Sequence, residues 1–317
     1  MLKLVVRRVL FSVLTLAVVA VMVFLLTELL PGDVATAYFG REATPERLAQ
    51  MRRDLGLDRP VAERFWRWIS HAARGDLGRS LIKDKPVVDI IRFPLRNTVV
   101  LGLLTACITL PTFILLGVIA GLFRDRWLDF LISIGSLVGW STPGFVVGSI
   151  LLLTLSIKLR LLPAVVVVGS GNEPLSKLYV SMIMPALTLS IIWGAYLVRM
   201  VRTSVIDVMT GDFVQMATLK GMPYRTVVFR HALPSALVPS INVAALLVGA
   251  FVGGTVVLET LFNYPGLGRQ LVYAISDRDV PVVEAIALIA AVMTLTINLA
   301  ADLSTMVLNP RLRSLRG

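Results

Sequence analysis

Long apolar segments alternate with shorter polar segments along this chain. A helix needs roughly 20 residues to cross a hydrocarbon core about 30 Å thick, and six segments reach that length with few or no charges. The pattern therefore predicts an all-α integral membrane protein with about six transmembrane helices. The segments span residues 9–30, 97–123, 130–157, 178–198, 232–258 and 282–308.

Composition supports this class, because 56% of the residues are hydrophobic and only 16% are charged, which is outside the range of ordinary soluble domains.

The first apolar segment follows Lys3, Arg7 and Arg8, so a cleaved signal peptide is an alternative. Its apolar run exceeds the roughly 7 to 15 residues of a secretory signal, and we expect an uncleaved anchor. The single Cys107 excludes a disulfide within the chain.

The net charge of +11 could indicate a nucleic-acid partner, but the distribution of the basic residues is better explained by membrane orientation. The basic residues are spread among the loops without an aromatic-rich basic face, so we expect no nucleic-acid partner. With the N-terminus inside, the cytoplasmic segments hold 13 Lys and Arg residues and the short outer loops hold five. This asymmetry predicts that both termini are cytoplasmic.

The chain is expected to form a single transmembrane domain over residues 1–317. It has three polar insertions: an outer one at 31–96, a cytoplasmic loop at 199–236 and an outer segment at 259–281. The first contains two helical patterns, one opening at Thr44-Pro45 and one following Pro60.

Glycines recur four residues apart in the apolar segments, a spacing that lets helix backbones approach closely. Prolines inside or beside these segments predict kinks. The glycine pairs are 117/121, 135/139, 144/148 and 249/253, and the prolines are Pro111, Pro143, Pro185 and Pro239.

The chain carries little catalytic chemistry. It lacks the GxxxxGK[ST] phosphate loop, so we expect no ATP site and no other cofactor or metal in this chain. Ser80 and Lys83 fit a serine–lysine nucleophile spacing without its partner motifs, which leaves an intramembrane enzyme as an alternative.

A secondary carrier driven by an ion gradient is a second alternative. Such carriers use acidic groups near the membrane midplane, often between inverted repeats. Here the acids lie toward the ends of the segments. They are Glu28, Glu259, Glu284 and Asp302.

Residues 215–234, QMATLKGMPYRTVVFRHALP, form a polar and basic stretch between apolar runs. The pattern predicts two short helices joined by a turn. Asp212 is a candidate N-cap of the first, with Gln215 completing a capping box. Gly221 suits the left-handed residue that ends this helix, and Pro223 is expected to open the second.

In the second predicted helix, Tyr224, Val227, Val228 and His231 fall on one face. Exposure of this face together with Phe213 and Met216 would favour a soluble partner that covers it. The alternative is a solvated connector.

This stretch resembles the loop signature of permease subunits of binding-protein-dependent ABC importers. In that signature EAA is followed after three residues by Gly, and after nine more by I-x-L-P. The matching positions are Gln215, Met216 and Ala217, then Gly221, and then His231, Leu233 and Pro234 around Ala232. Gln, Met and His depart from the signature, so the match depends on Ala217, Gly221, Leu233 and Pro234.

Other segments resemble the dipeptide, oligopeptide and nickel type of these permeases. They are LLPGD at 29–33, GDLGRS at 75–80, PVVDII at 86–91, ETLFNYPGLGRQLVYAI at 259–275 and RDVPVVEA at 278–285. The last two resemble an outer re-entrant segment. A candidate outer gate within it comprises Asn263, Tyr264, Pro265, Gly266, Leu267 and Gly268, where Pro-Gly chemistry predicts a turn; a plain surface turn is the alternative.

The resemblance implies a type I ABC importer permease in the cytoplasmic (inner) membrane of a bacterium or archaeon, surrounded by lipid. It implies a second related permease, two ATP-binding subunits that hold ATP and Mg, and an extracytoplasmic solute-binding protein. The loop residues expected to couple to the ATPase are Gln215, Met216, Ala217, Gly221, Tyr224, His231, Leu233 and Pro234. The solute stays open among peptides, nickel chelates, glutathione-like compounds and opine-like or sugar conjugates.

Overall fold

The computed structural model describes residues 2–29, 44–54, 56, 58–80, 82–164 and 175–308, and it is helical apart from one short hairpin. In its first half lie α1 (Leu2–Glu28), α2 (Pro45–Asp54), α3 (Val61–Ala72), β1 (Arg79–Ser80), β2 (Lys85–Pro86) and α4 (Val87–Leu122). The two strands pair antiparallel, with Arg79 opposite Pro86.

The second half contains helices joined by turns and has no strand within the described residues. It contains α5 (Trp127–Ser141), α6 (Gly144–Leu151) with a π-helical extension (Leu152–Lys158), α7 (Leu175–Met209), α8 (Asp212–Leu219), α9 (Tyr224–Thr226) with a π-helical extension (Val227–Ala232), α10 (Leu233–Leu261), α11 (Leu267–Ser276) and α12 (Val280–Leu308). The N-terminal part of the predicted segment 31–96 and the end of the LLPGD motif lie outside the described residues.

Among the described residues, four helices are individually long and apolar enough to cross a membrane. They are α1, α4, α7 and α12. The prediction of one continuous helix over 130–157 is corrected, because α5 and the extended α6 meet at 111°. Thr142 precedes Pro143 and adopts extended angles, φ −89° and ψ 129°, since a residue before proline is disfavoured in the α conformation. The bent pair raises the number of candidate spans to five, and six stays a prediction.

Two helices extend beyond the predicted apolar boundaries. The helix α4 begins at Val87, so residues 87–96 of the predicted outer insertion are helical and continuous with the span. The helix α7 continues to Met209, so the first part of the predicted loop 199–236 is a continuation of the span. Hydropathy indicates which residues lie in the hydrocarbon core of the membrane. It does not mark the helix ends, because the backbone hydrogen bonds of a helix can continue into the polar region.

We call the end of the bundle that carries residues 210–232 the loop end, and the opposite end, with residues 262–266, the turn end. Between them α4 packs closely on α7. A Cβ atom added to Gly117 would lie 2.6 Å from Cβ of Val201, and one added to Gly121 would lie 2.7 Å from Cβ of Val205. These glycines confirm the predicted close approach, whereas Gly135 faces open space.

The first helix is attached to the last at both ends. At the turn end, the Thr27 hydroxyl donates to Glu284 over 2.9 Å. At the loop end, Arg8 donates to Asp302 over 2.5 Å. The acids near the two ends of the last apolar segment therefore hold α1 against α12.

An ion pair between the buried Asp129 and the partly exposed Arg202 joins α5 to α7 near the loop end. The Asp129 carboxylate, in a residue only 4% exposed, accepts from Arg202 Nε at 2.5 Å and Nη2 at 2.8 Å. It also accepts from the Asp125 backbone N–H and the Ser133 hydroxyl, both at 3.0 Å. A buried carboxylate needs such partners, because water no longer solvates it.

Arg202→Met is expected to destabilise the protein, since it leaves the buried Asp129 without its cation. We expect a loss of roughly 1 to 3 kcal/mol, the range for a buried acceptor that loses its partner. The matched control is Arg199→Met, which removes an exposed arginine from the same helix. The measurement is the thermal unfolding midpoint of the purified proteins. Equal midpoints for the two variants would contradict a structural role of the pair.

Candidate functional site

The loop helix α8 begins directly after Thr210 and Gly211, which link it to α7. Gly211 is its N-cap residue, and no side chain caps the helix. The prediction of an Asp212 cap is wrong, because Asp212 is already in the first helical turn, where its charge favours the helix N-terminus. Gln215 donates to the Thr210 carbonyl at 3.2 Å and forms no capping box.

Gly221 ends α8 in the predicted left-handed conformation, with φ +76°. Its N–H donates to the Thr218 carbonyl at 2.9 Å, and the Met222 N–H donates to the Ala217 carbonyl at 3.2 Å. This pair of bonds defines a Schellman motif. Ala217 and Met222 pack against the same apolar cluster beneath the loop, so the turn direction is fixed by both bonds and packing.

The second predicted loop helix is the beginning of a longer one. Its π-helical part, Val227–Ala232, leads directly into α10 at Leu233. Val227 and Val228 are each 1% exposed, so the prediction that they share an exposed face with Tyr224 and His231 is wrong. A π-helix bonds i to i+5, and this wider turn removes the 3.6-residue periodicity on which the prediction depended.

The loop nevertheless exposes large apolar side chains, which we call the loop patch. Its members are Phe213 (47% exposed), Met216 (55%), Leu219 (81%), Tyr224 (64%) and Phe229 (67%). Sequence reasoning missed Leu219 and Phe229. The spacing of three from Phe213 through Met216 to Leu219 was a usable signal, whereas the π-helical turn concealed Phe229.

The other predicted loop residues divide into two groups. Gln215, His231 and Pro234 are exposed, whereas Ala217 and Leu233 are partly buried against the clusters beneath the loop. Gln215 and His231 therefore add polar groups to the exposed surface, and the second group helps to set its shape.

The loop is attached firmly to both helices that flank it. Val214, Val227 and Ala232 pack together with Val208 and Met209 at the end of α7. The Ser204 hydroxyl of α7 donates to the Ala236 carbonyl of α10 at 2.7 Å. A force applied to the loop would consequently move both helices.

The predicted outer gate lies in the interior of the turn end and not on the surface. Tyr264 is 0% and Leu267 3% exposed, and residues 265–268 are all buried. Asn263 precedes them in a left-handed conformation, φ 52°. Burial raises the pKa of Tyr264 above its usual value, so its phenol stays protonated and can donate a hydrogen bond.

The start of the second apolar segment holds this turn. The Tyr264 hydroxyl donates to the Asn97 carbonyl, and the Asn97 side-chain amide donates to the Pro265 carbonyl, both at 2.8 Å. The Thr98 hydroxyl donates to Glu259 at 2.6 Å and accepts the Leu267 N–H at 2.7 Å. We call Asn97, Thr98 and Glu259 the turn cradle, which sequence reasoning missed because it placed 97 and 98 in the first turn of a span.

The two glycines of the turn allow this close packing. A Cβ atom on Gly266 would lie 2.3 Å from the carboxyl carbon of Glu259, and one on Gly268 would lie 2.6 Å from Cα of Val256. Glycine is therefore required at both positions because no side chain fits there, in addition to its preference for turns.

The candidate nucleophile Ser80 is 1% exposed. Its hydroxyl donates to Asp279 and accepts the backbone N–H of Lys83 at 3.0 Å. This contact joins the short hairpin to the start of α12 and gives no support to a Ser–Lys pair.

In the described part of the chain, no three His, Cys, Asp or Glu side chains are grouped to hold a metal ion.

Comparison with known proteins gives full-length matches. Residues 113–314 match the family of binding-protein-dependent transport system inner membrane components, and residues 1–102 match the N-terminal family of such membrane components. The chain is 36% identical over 313 residues to the glutathione transport system permease protein GsiC of Escherichia coli (strain CFT073), covering 99% of both chains. It is equally similar, with the same coverage, to a putative peptide transport system permease protein of Brucella abortus (strain 2308).

Gly268→Ala is expected to destabilise the protein, because its Cβ would meet backbone and overpacking costs roughly 1 to 3 kcal/mol. Gly102→Ala is the matched control, since nothing lies within 4 Å of the added Cβ. Thermal unfolding midpoints of the purified variants test the difference. If Gly268→Ala unfolds at the same temperature as Gly102→Ala, the turn is not packed as described.

Proposed function

The chain belongs to the family of inner-membrane components of binding-protein-dependent transport systems, and we propose on that basis that it forms half of the transmembrane pathway of an ABC importer. Its relatives carry the names of glutathione and peptide transport permeases, so the proposed solute is a peptide-like compound. Similarity over the whole length, including the loop and the turn, supports this assignment most strongly.

The proposed importer contains a second related permease, because alternating access needs two halves that move against each other. Two ATP-binding subunits bind ATP and Mg on the cytoplasmic side. The sequence of this chain lacks a phosphate loop of its own, which fits a division of labour between subunits. A solute-binding protein delivers the solute from outside, and both termini of this chain are cytoplasmic.

The loop patch supports docking of the ATPase at the loop end. Exposed apolar groups of this size are a liability on a surface that contacts only water, and they mark interaction sites. Phe213, Met216 and Leu219 provide the apolar contact, and Gln215 and His231 provide polar contacts beside it. Closure of the ATPase subunits on ATP then displaces the loop as a rigid body, and α7 and α10 move with it.

The buried turn at the opposite end is the proposed outer gate. It contacts α4 through Asn97 and Thr98, and it is connected to α10 by the chain itself. A displacement of α10 relative to α4 would therefore disturb the turn. This links ATP-driven movement at the loop end to access at the turn end.

The described contacts do not favour a secondary carrier. Three acidic side chains near the ends of the first and last spans have partners: Glu284 with Thr27, Asp302 with Arg8, and Glu28 with Arg64. Each of these carboxylates connects two helices. Their positions and partners support structural roles.

Gly221→Val is expected to leave the protein in the membrane at near-normal abundance but to abolish transport. Open space surrounds the added Cβ, so the cost is the local backbone strain of about 1 kcal/mol or more at a left-handed position, which redirects the loop. Leu219→Asp should have the same effect by charging the loop patch. Gly221→Asn is the matched control, since Asn tolerates this conformation.

Membrane abundance, co-purification of the ATPase subunits and stimulation of ATP hydrolysis by the loaded binding protein are measured together for the three variants. We expect Gly221→Val and Leu219→Asp to lose bound ATPase or its stimulation, and Gly221→Asn to retain both. Full stimulation in Gly221→Val and Leu219→Asp would mean that the loop is only a connector.

A further inference from the structure

We propose that the Thr98 hydroxyl is a positioning group that holds the outer turn closed by joining three helices at one atom. The inference rests on the proposed gating role of residues 263–268. It assigns the closed state of that gate to a specific contact, which can be removed without altering the turn itself.

Thr98 lies in α4 at the turn end and is only 2% exposed. Its oxygen accepts the N–H of Leu267 at 2.7 Å, and its proton is donated to Glu259 at 2.6 Å. Leu267 is the first residue of α11, and the N–H groups of a first helical turn have no partner within their helix. One hydroxyl therefore connects α4, the end of α10 and the beginning of α11.

Glu259 completes this connection from the side of α10. It is 0% exposed, and its second oxygen accepts the Arg269 N–H at 3.0 Å. The carboxylate thus faces the N-terminus of α11, where negative charge is favoured. Gly266 permits the approach, because any side chain there would collide with the Glu259 carboxyl group.

These contacts are suited to a gate because water can replace them. When the turn moves away from α4, the Leu267 N–H and one oxygen of Glu259 lose their shared partner Thr98. Leaving either group without water would then be strongly disfavoured. The turn is therefore stable either when closed on Thr98 or when opened to an aqueous pathway. Intermediate positions are disfavoured, which makes the gate two-state.

The test measures access to the turn in the assembled transporter at rest, without solute or nucleotide. Leu267→Cys provides the probe in a Cys107→Ser background, and its reaction with a membrane-impermeant maleimide is timed. Leu267 is 3% exposed, so the parent should react slowly. Thr98→Val removes the hydroxyl at nearly constant size, whereas Thr98→Ser retains it and is the matched control.

We expect Thr98→Val to raise the labelling rate about tenfold or more, since losing a buried hydrogen bond shifts an opening equilibrium by roughly that factor. Thr98→Ser should label at the parent rate. If Thr98→Val does not accumulate in the membrane, Glu259→Gln is tested in its place. The Gln amide has one oxygen and one NH₂ group, so its NH₂ would face either the Arg269 N–H or the Thr98 hydroxyl, which both donate to the Glu259 carboxylate. The same increase in labelling is expected.

An unchanged rate in Thr98→Val would overturn the inference, and so would an equal increase in Thr98→Ser, which would point to packing by the methyl group. A separate arm adds the loaded binding protein and a non-hydrolysable ATP analogue to the parent. A parent rate indifferent to both would refute the gating role itself, while the comparison of Val with Ser at rest would still decide whether Thr98 holds the turn.

Discussion

The close contact between α4 and α7 is the interaction on which the rest of the structure depends. Gly117 and Gly121 bring the two backbones together where any side chain would collide with Val201 and Val205. Nearer the turn end, the Thr109 hydroxyl donates to Ser190 at 2.9 Å across the same pair of helices. Lipid offers no hydrophobic drive for helices to associate, so such packing and hydrogen bonding must hold them together.

This helix pair connects the two ends of the molecule. Thr98 of α4 lies in the turn cradle, and α7 leads directly into the loop through Thr210 and Gly211. The ion pair of Asp129 with Arg202 adds α5 to the same body. The α4–α7 pair is therefore the common body that the turn cradle and the loop both contact, and a movement of α10 relative to this pair is the movement that would disturb the turn.

The sequence predicted features that depend on local chemistry. The helices follow from apolar length, the C-terminal end of α8 from the conformational freedom of Gly221, and the close approach of α4 to α7 from paired small residues. It did not predict features set by tertiary contact or by departures from regular geometry. The π-helical turn buried Val227 and Val228 and exposed Phe229, and the cradle joins Asn97 and Thr98 to residues far along the chain. The break before Pro143 was signalled only as a kink, since its angle depends on the packing of both halves.

The most direct measurement of ATP-driven import is uptake into proteoliposomes that contain this chain, its partner permease and the ATP-binding subunits, with loaded binding protein outside. Labelled dipeptide and labelled glutathione are the test solutes. We expect accumulation that requires enclosed ATP together with the binding protein. A proton or sodium gradient should not replace the ATP. Accumulation driven by an ion gradient without ATP would contradict ATP-driven import.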